Sequence, residues 1–255
     1  MTNPLTINQK KEAKKIISFL KSTFKKQKIN NAIIGLSCGL DSTVSFYLLA
    51  QALPKKNIYA YHLPYGKENI FVRKIINQID LPKENFQIIS IKKIVDLLKQ
   101  LTNNHLAVNR IRLGNIIARA RMVILFDQAK KHDALVCGTE NKSEHLLGYF
   151  TRFGDAASDI EPVRHLYKTQ LYQLAKYLRI PKEIIGKMPS ANLWEGQTDE
   201  GEFGFTYDEA DQVLNLHFDK KMSTEKIIKM GHKNARKVLS FVKKNSFKQE
   251  TPYKI

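Results

Sequence analysis

Apolar and polar positions alternate along this chain with two different periods. Over residues 8–27, Ile16, Ile17, Phe19, Leu20 and Phe24 recur at helical spacing and lysines fill the other face, which predicts an amphipathic helix. The run NAIIGLS at 31–37 is short, apolar and strand-like. It passes through a glycine-containing turn into a helix predicted over about 42–52. Further strands are predicted at 57–63, 86–91 and 134–138, and helices at 69–79, 94–101 and 113–131. Short buried strands alternating with helices indicate an α/β fold, a doubly wound, mostly parallel sheet with helices on both faces. Residues 148–167 and 187–206 show no period and read as loops, of a length that is usually functional. Helices return at 168–179, 207–217 and 223–244. No repeat or linker divides the chain, so one domain spanning 1–255 is expected.

Composition sharpens this picture in three ways. Hydrophobic residues make up 43% and charged ones 26%, the balance of a folded globular chain. Only two cysteines occur, Cys38 and Cys137, which excludes a disulfide framework and a four-cysteine zinc site and makes a reducing, cytoplasmic setting the default. No apolar run is long enough for a membrane span, and the first residues lack a signal-peptide core. Lysine and arginine number 42 against 24 acids, a formal charge of +18. That charge suits nucleic acid, anionic metabolites or simply a lysine-rich surface, and the helical spacing of the lysines favours the last.

The strongest local signal is Gly35-Leu36-Ser37-Cys38-Gly39-Leu40-Asp41-Ser42, where a strand runs into a helix. Backbone N–H groups in such a turn converge on an anion, and the helix N-terminus adds partial positive charge. Ser37 and Ser42 offer hydroxyl donors, and Asp41 offers a magnesium ligand. The loop lacks the Walker A lysine and the dinucleotide-binding glycine spacing. Read alone, it also fits a plain strand-to-helix turn with a polar cap.

The loop resembles the SGGxDS loop of the ATP pyrophosphatase superfamily. Other segments narrow the resemblance: Leu113-Gly-Asn-Ile-Ile-Ala-Arg-Ala-Arg-Met122, Gly138-Thr-Glu-Asn-Lys-Ser-Glu144, Asp159-Ile-Glu-Pro162, Leu166-Tyr-Lys-Thr-Gln170, Pro189-Ser-Ala-Asn-Leu-Trp194 and Gly196-Gln-Thr-Asp-Glu200. In this order and spacing they resemble the ammonia-dependent NAD synthetases over about residues 10–250. The resemblance implies an enzyme that uses ATP, magnesium and ammonia to amidate deamido-NAD through an adenylated carboxylate, releasing AMP and pyrophosphate. It implies a homodimer and a five-stranded sheet, four strands of which are placed by the pattern above.

The resemblance also assigns residues. Gly35 to Ser42, with Thr139, Lys168 and Ser190, correspond to ATP contacts. Asp41 and Glu144 correspond to magnesium ligands. Arg119, Arg152, Asp159 and the pair Phe247-Lys248 correspond to deamido-NAD contacts, with His232-Lys233 as the rival for the last pair. Asp155, with Ser37 nearby, is the candidate base for ammonium, and Arg152 supplies charge at the reacting carboxylate. The chain departs from the family at Cys38, where a loop glycine is usual. It also departs at Arg152 (lysine), Ala156-Ala157 (two glycines) and Phe247 (histidine). The sequence leaves two other functions open: a tRNA-modifying pyrophosphatase, favoured mildly by the basic charge, and a nucleotide-binding relative that has lost its chemistry.

Overall fold

The structure is a computed structural model that describes residues 5–102, 110–190 and 196–253. Four parallel strands form its sheet: β1 (Asn31–Gly35), β2 (Ile58–His62), β3 (Phe86–Ile88) and β4 (Ala134–Cys137), in the order β3-β2-β1-β4. Ile33 lies opposite Tyr59 of β2 and Val136 of β4. Helix α1 (Gln9–Gln27) precedes β1, α2 (Leu40–Ala52) follows β1, α3 (Val72–Ile79) follows β2, and α4 (Lys92–Leu101) and α5 (Arg110–His132) lie between β3 and β4. Strand residues feed alternate faces, as the two-residue period requires. Ala32 and Ile34 join the core with Leu20, Phe46 and Leu171, while Ile33 joins Tyr61, Leu113 and Ile117 on the other face.

The expected fifth strand shrinks to one parallel bridge between Cys137 and Ile160. The cause is local. The edge N–H of Val136 donates to the Asp159 carboxylate at 2.7 Å, and Pro162 has no N–H to extend a ladder.

Beyond β4 come α6 (Lys142–Leu147), α7 (Lys168–Tyr177), α8 (Lys182–Ile185), α9 (Asp199–Phe203) and α10 (Tyr207–Leu214), the last running into a π-turn at Asn215–Asp219. The stretch 187–206, read as loop, therefore carries a short helix, whose first turn is capped by the Thr198 side chain. The single helix expected at 223–244 is two, α11 (Thr224–Lys229) and α12 (Ala235–Asn245). Gly231 between them sits at φ +101°, a conformation that ends a helix. Leu147, Phe203, Tyr207, Leu214 and Val238 build a second core among these later helices. Trp194 lies outside the described residues.

Candidate active site

The strand order reverses between β1 and β4, so the loops leaving their C-terminal ends diverge and open a crevice, the usual place for a ligand in such a sheet. The first loop departs from the expected cradle in detail. Leu36 continues the strand: its N–H donates to Tyr61 O at 2.8 Å, and its carbonyl accepts from His62 Nδ1 at 2.8 Å. The Asn69 N–H donates to His62 Nε2, which fixes the neutral tautomer with the proton on Nδ1. Burial lowers the His62 pKa and keeps that form. Gly35, Leu36 and Leu40 thus serve the strand and the core, while Ser37 is exposed, Gly39 and Asp41 are half-buried and Ser42 is buried within the turn.

Cys38 is the strained position. Its φ is +62°, where a Cβ is disfavoured, and its side chain is fully buried in the core. Burial pushes the thiol up to about 12, so it is neither a thiolate nor reachable. A maleimide applied to the native protein at neutral pH is expected to leave Cys38 unmodified, and peptide mass mapping of rapid native labelling there would contradict this.

The turn is pre-folded. Ser37 Oγ accepts from Gly39 N at 3.2 Å and lies 3.0 Å from Ser42 Oγ, while Thr43 Oγ1 donates to Gly39 O at 2.8 Å. Among the described residues no side chain caps the first N–H groups of α2. An uncapped helix start of this kind is an anion site.

Three loops deliver charged groups to that helix start. Lys168 opens α7 and is only 3% exposed; its Nζ donates to Asp41 Oδ2 at 2.6 Å and to Glu144 Oε1 at 3.4 Å. Burial alone would lower its pKa, but Asp41 and Glu144 more than reverse this and hold the ammonium well above the ordinary lysine range. Glu144 responds oppositely: burial and then the Asp41 charge drive its carboxyl well above the ordinary range, with Lys168 offsetting only part. Glu144 also does a second job. Its Oε2 accepts from Asn141 N at 3.3 Å while Asn141 Oδ1 accepts from Glu144 N at 3.0 Å, a capping box for α6.

The sequence reading missed two members of this group. Asn141 Nδ2 donates to Asp41 Oδ1 at 2.9 Å, and its position three residues before Glu144 was the available signal. Asp199, 3% exposed, accepts from Tyr207 at 3.0 Å, and its own N–H donates to Pro189 O, which brings the Pro189-Ser190 segment beside it. Thr139 sits on the loop after β4, two residues before Asn141, and is half-buried.

A second cluster forms where α5, the 148–155 loop and the C-terminal segment meet. Arg119 Nε donates to Arg152 O at 3.3 Å, and the Arg152 guanidinium lies 5.2 Å from the Phe247 ring centre. Lys248 Nζ donates to Gly148 O at 2.8 Å and Phe150 O at 3.2 Å. Phe247-Lys248 thus lies beside Arg152, whereas the rival His232-Lys233 occupies the turn between α11 and α12, in a cleft lined by Glu209 and Gln212. Asp155 Oδ1 accepts from Thr151 N at 2.9 Å. Asp155 is exposed at the surface, and desolvation by the groups around its carboxyl raises it against the pull of the Thr151 N–H. No hydrogen bond among the described residues joins Asp155 to Ser37. Asp159 holds the sheet edge, as described above, rather than joining Arg119 and Arg152 through a side-chain contact.

Glu161 adds a pH-sensitive acid beside this region. It accepts from Ser158 Oγ at 2.7 Å and Glu140 N at 3.1 Å, and burial pushes its carboxyl up to about 8. A carboxyl raised on folding stabilises the fold while it stays protonated, and that contribution is lost as pH rises from about 4.5 to about 8. Glu161→Gln is therefore expected to flatten the fall of Tm across that window. An unchanged slope in thermal melts would contradict it.

The chain matches the NAD synthase family over residues 12–252. It belongs to that family. An NH3-dependent NAD+ synthetase from Fusobacterium nucleatum is 43% identical over 230 residues, 90% of this chain and 88% of the relative. The structure of an NMN synthetase from Francisella tularensis superposes with a TM-score of 0.84 at 30% identity, covering 98% of this chain and 99% of that one. The NH3-dependent NAD synthetase from Campylobacter jejuni, solved with a nitrate ion, gives a TM-score of 0.81 at 28% identity, with 98% and 100% covered. The family resemblance and the α/β fold read from the sequence are both borne out, with four strands in place of five. Among the described residues no helix is long and apolar enough to cross a membrane.

Proposed function

We propose that this NAD synthase family member is a C–N bond-forming ligase that uses ATP and ammonia to convert deamido-NAD into NAD. The observation that carries the site assignment is the Asp41–Lys168–Glu144 group at the uncapped start of α2. ATP phosphates bind at this helix start, with the Ser37 and Ser42 hydroxyls and Lys168 as donors and Thr139 and Ser190 at the rim. A carboxylate oxygen of deamido-NAD attacks the α-phosphorus and pyrophosphate leaves towards Lys168 and the helix N–H groups. Ammonia then attacks the acyl carbon, AMP leaves with the former carboxylate oxygen, and NAD results. Arg119, Arg152 and Lys248 counter the charge of the dinucleotide, with Phe247 beside them. Asp155 holds the incoming ammonium and takes its proton, and its raised carboxyl suits a base.

Magnesium fits the residues present. Among the described residues no group of three or more His, Cys, Asp or Glu side chains gathers as a metal site. Asp41 and Glu144 are two hard oxygen donors brought together by Lys168, and magnesium is commonly held by one or two carboxylates plus substrate phosphates. Bound there, the ion would neutralise phosphate charge. The chain is also proposed to form a homodimer through α5 and its surroundings, because Ile111, Val123, Leu97 and Leu101 are exposed. Light scattering is expected to give twice the chain mass, and a monomer at micromolar concentration would contradict this.

The likeness to the Francisella tularensis NMN synthetase favours one second reading, a deamido mononucleotide as acceptor. The higher identity to NH3-dependent NAD+ synthetases favours the dinucleotide. Steady-state assays with Mg-ATP, ammonium and each acceptor separate the two. Faster turnover of deamido-NAD, with one AMP formed per NAD, supports the proposal. Preference for the mononucleotide, or release of ADP, overturns it.

A further inference from the structure

Asp211 has no part in the chemistry above, yet it is fully buried and tied to both helices that carry the central charges. It lies on α10, among residues whose pattern reads as an ordinary charged helix face. One carboxylate oxygen accepts from Ser143 Oγ. The other accepts from Thr169 N at 2.8 Å and from Thr169 Oγ1 at 2.8 Å. Ser143 Oγ in turn accepts from Lys168 N at 2.9 Å. Ser143 immediately precedes Glu144, and Thr169 immediately follows Lys168.

The chain of contacts therefore runs from one buried carboxylate to the backbone beneath both members of the ion pair. A carboxylate accepts only, so it forces Ser143 and Thr169 to donate to it and leaves Ser143 a lone pair for Lys168 N. Burial raises the Asp211 carboxyl to about 6 while these donors pull it down, so it is an anion at neutral pH. It faces the opening turns of α6 and α7, where N–H groups point outward and carry partial positive charge. The Lys168 ammonium, at the start of α7, also lowers it. Lys168 Nζ must meet Asp41 across 127 residues of sequence, and that meeting depends on where α7 begins.

We propose that Asp211 is a positioning residue that sets the placement of Lys168 and Glu144 by anchoring the first turns of α6 and α7. The proposal rests on the assignment of Lys168 and Glu144 to ATP and its metal. Residues that orient a ligating or charged side chain commonly cost ten- to a hundredfold when changed. Among the described residues Arg119 bonds to Arg152 and Arg152 lies on Phe247, while Asp211 bonds to Ser143 and Thr169, so the dinucleotide side of the site has partners of its own.

The test compares Asp211→Asn, Ser143→Ala and Thr169→Val with Lys168→Ala, measuring KM for ATP, KM for deamido-NAD, kcat and Tm, with ATP affinity also read by calorimetry. Asp211→Asn and Ser143→Ala are expected to raise the KM and Kd for ATP by about tenfold or more, while KM for deamido-NAD stays within about twofold. Thr169→Val, which keeps its N–H, is expected to do less. If Asp211→Asn does not fold, Ser143→Ala decides, since it removes only the bridging hydroxyl. Folded variants with unchanged ATP affinity overturn the proposal, as does an equal rise in both KM values with a lower Tm, which would mean general loosening. If Lys168→Ala itself leaves ATP binding intact, the site assignment falls and the proposal falls with it. If Lys168→Ala weakens ATP binding but Ser143→Ala and Asp211→Asn do not, only the positioning role is lost.

Discussion

Lys168→Ala is expected to lower kcat/KM for ATP by about a thousandfold, the upper part of the range for removing one donor from developing negative charge. The side chain is buried and lies between two carboxylates, where a truncated side chain cannot carry a charge to the phosphates. The same change strips Asp41 and Glu144 of their shared cation. Breaking a fully buried ion pair costs about 3–5 kcal/mol. Here the carboxylates retain 17% and 19% exposure, so the loss is expected below that range. Magnesium is expected to restore part of the stability, because it replaces the lost charge between the carboxylates, but little of the turnover. Thermal melts with and without magnesium, beside steady-state rates, check both halves. Near-normal turnover in a folded variant would remove Lys168 from the chemistry.

The second large effect is expected from Gly148→Ala, through geometry alone. Gly148 ends α6 at φ +64°, and a Cβ placed on it would lie 2.6 Å from Asn245 Cβ and 2.9 Å from Asn245 O. A left-handed alanine costs about 1 kcal/mol, and the clash with backbone adds to it. A total of about 2–3 kcal/mol is expected, a fall in Tm of roughly 4–12 °C. The function should suffer on one side only. Asn245 begins the segment that places Phe247 against Arg152, and Gln249 Nε2 caps α6 by donating to His145 O and Leu146 O. Pushing that segment away is expected to raise KM for deamido-NAD by about tenfold while ATP affinity changes little. An unchanged KM for deamido-NAD in the folded variant would show that the segment does not serve the dinucleotide.

Much of the fold was legible because its signals are local. The four strands are short apolar runs, and the two faces of the sheet follow from alternation along β1. The fifth strand was not legible, because its loss turns on one side chain: Asp159 takes the Val136 N–H that a further strand would have used. The break between α11 and α12 carried a signal in Gly231, which the lysine-rich helical pattern around it outweighed. In the candidate site, Asp41, Glu144 and Lys168 were each named from motifs, but their meeting spans up to 127 residues and only the fold reveals it. Asp211 had no sequence signature at all. It stands among Asp208, Glu209 and Gln212 as one polar residue of several, and only the packing of α10 against α6 and α7 separates it from the exposed ones.

Asp159 and Cys38 show the limit of motif transfer in opposite ways. Asp159 matches a dinucleotide contact in the family pattern, yet its visible bond is to the sheet edge. Cys38 breaks the loop pattern, yet the loop keeps its left-handed turn, with the thiol turned into the core rather than into the crevice.

Everything proposed for this site requires the substrate carboxylate to be activated on the α-phosphorus of ATP. Deamido-NAD labelled with oxygen-18 in its carboxylate tests it most directly, with ammonium and Mg-ATP supplied and the products separated by mass. One labelled oxygen is expected in AMP for each NAD formed, because the oxygen that attacked phosphorus leaves with it. Label in pyrophosphate or inorganic phosphate, or NAD formed with unlabelled AMP, would contradict it.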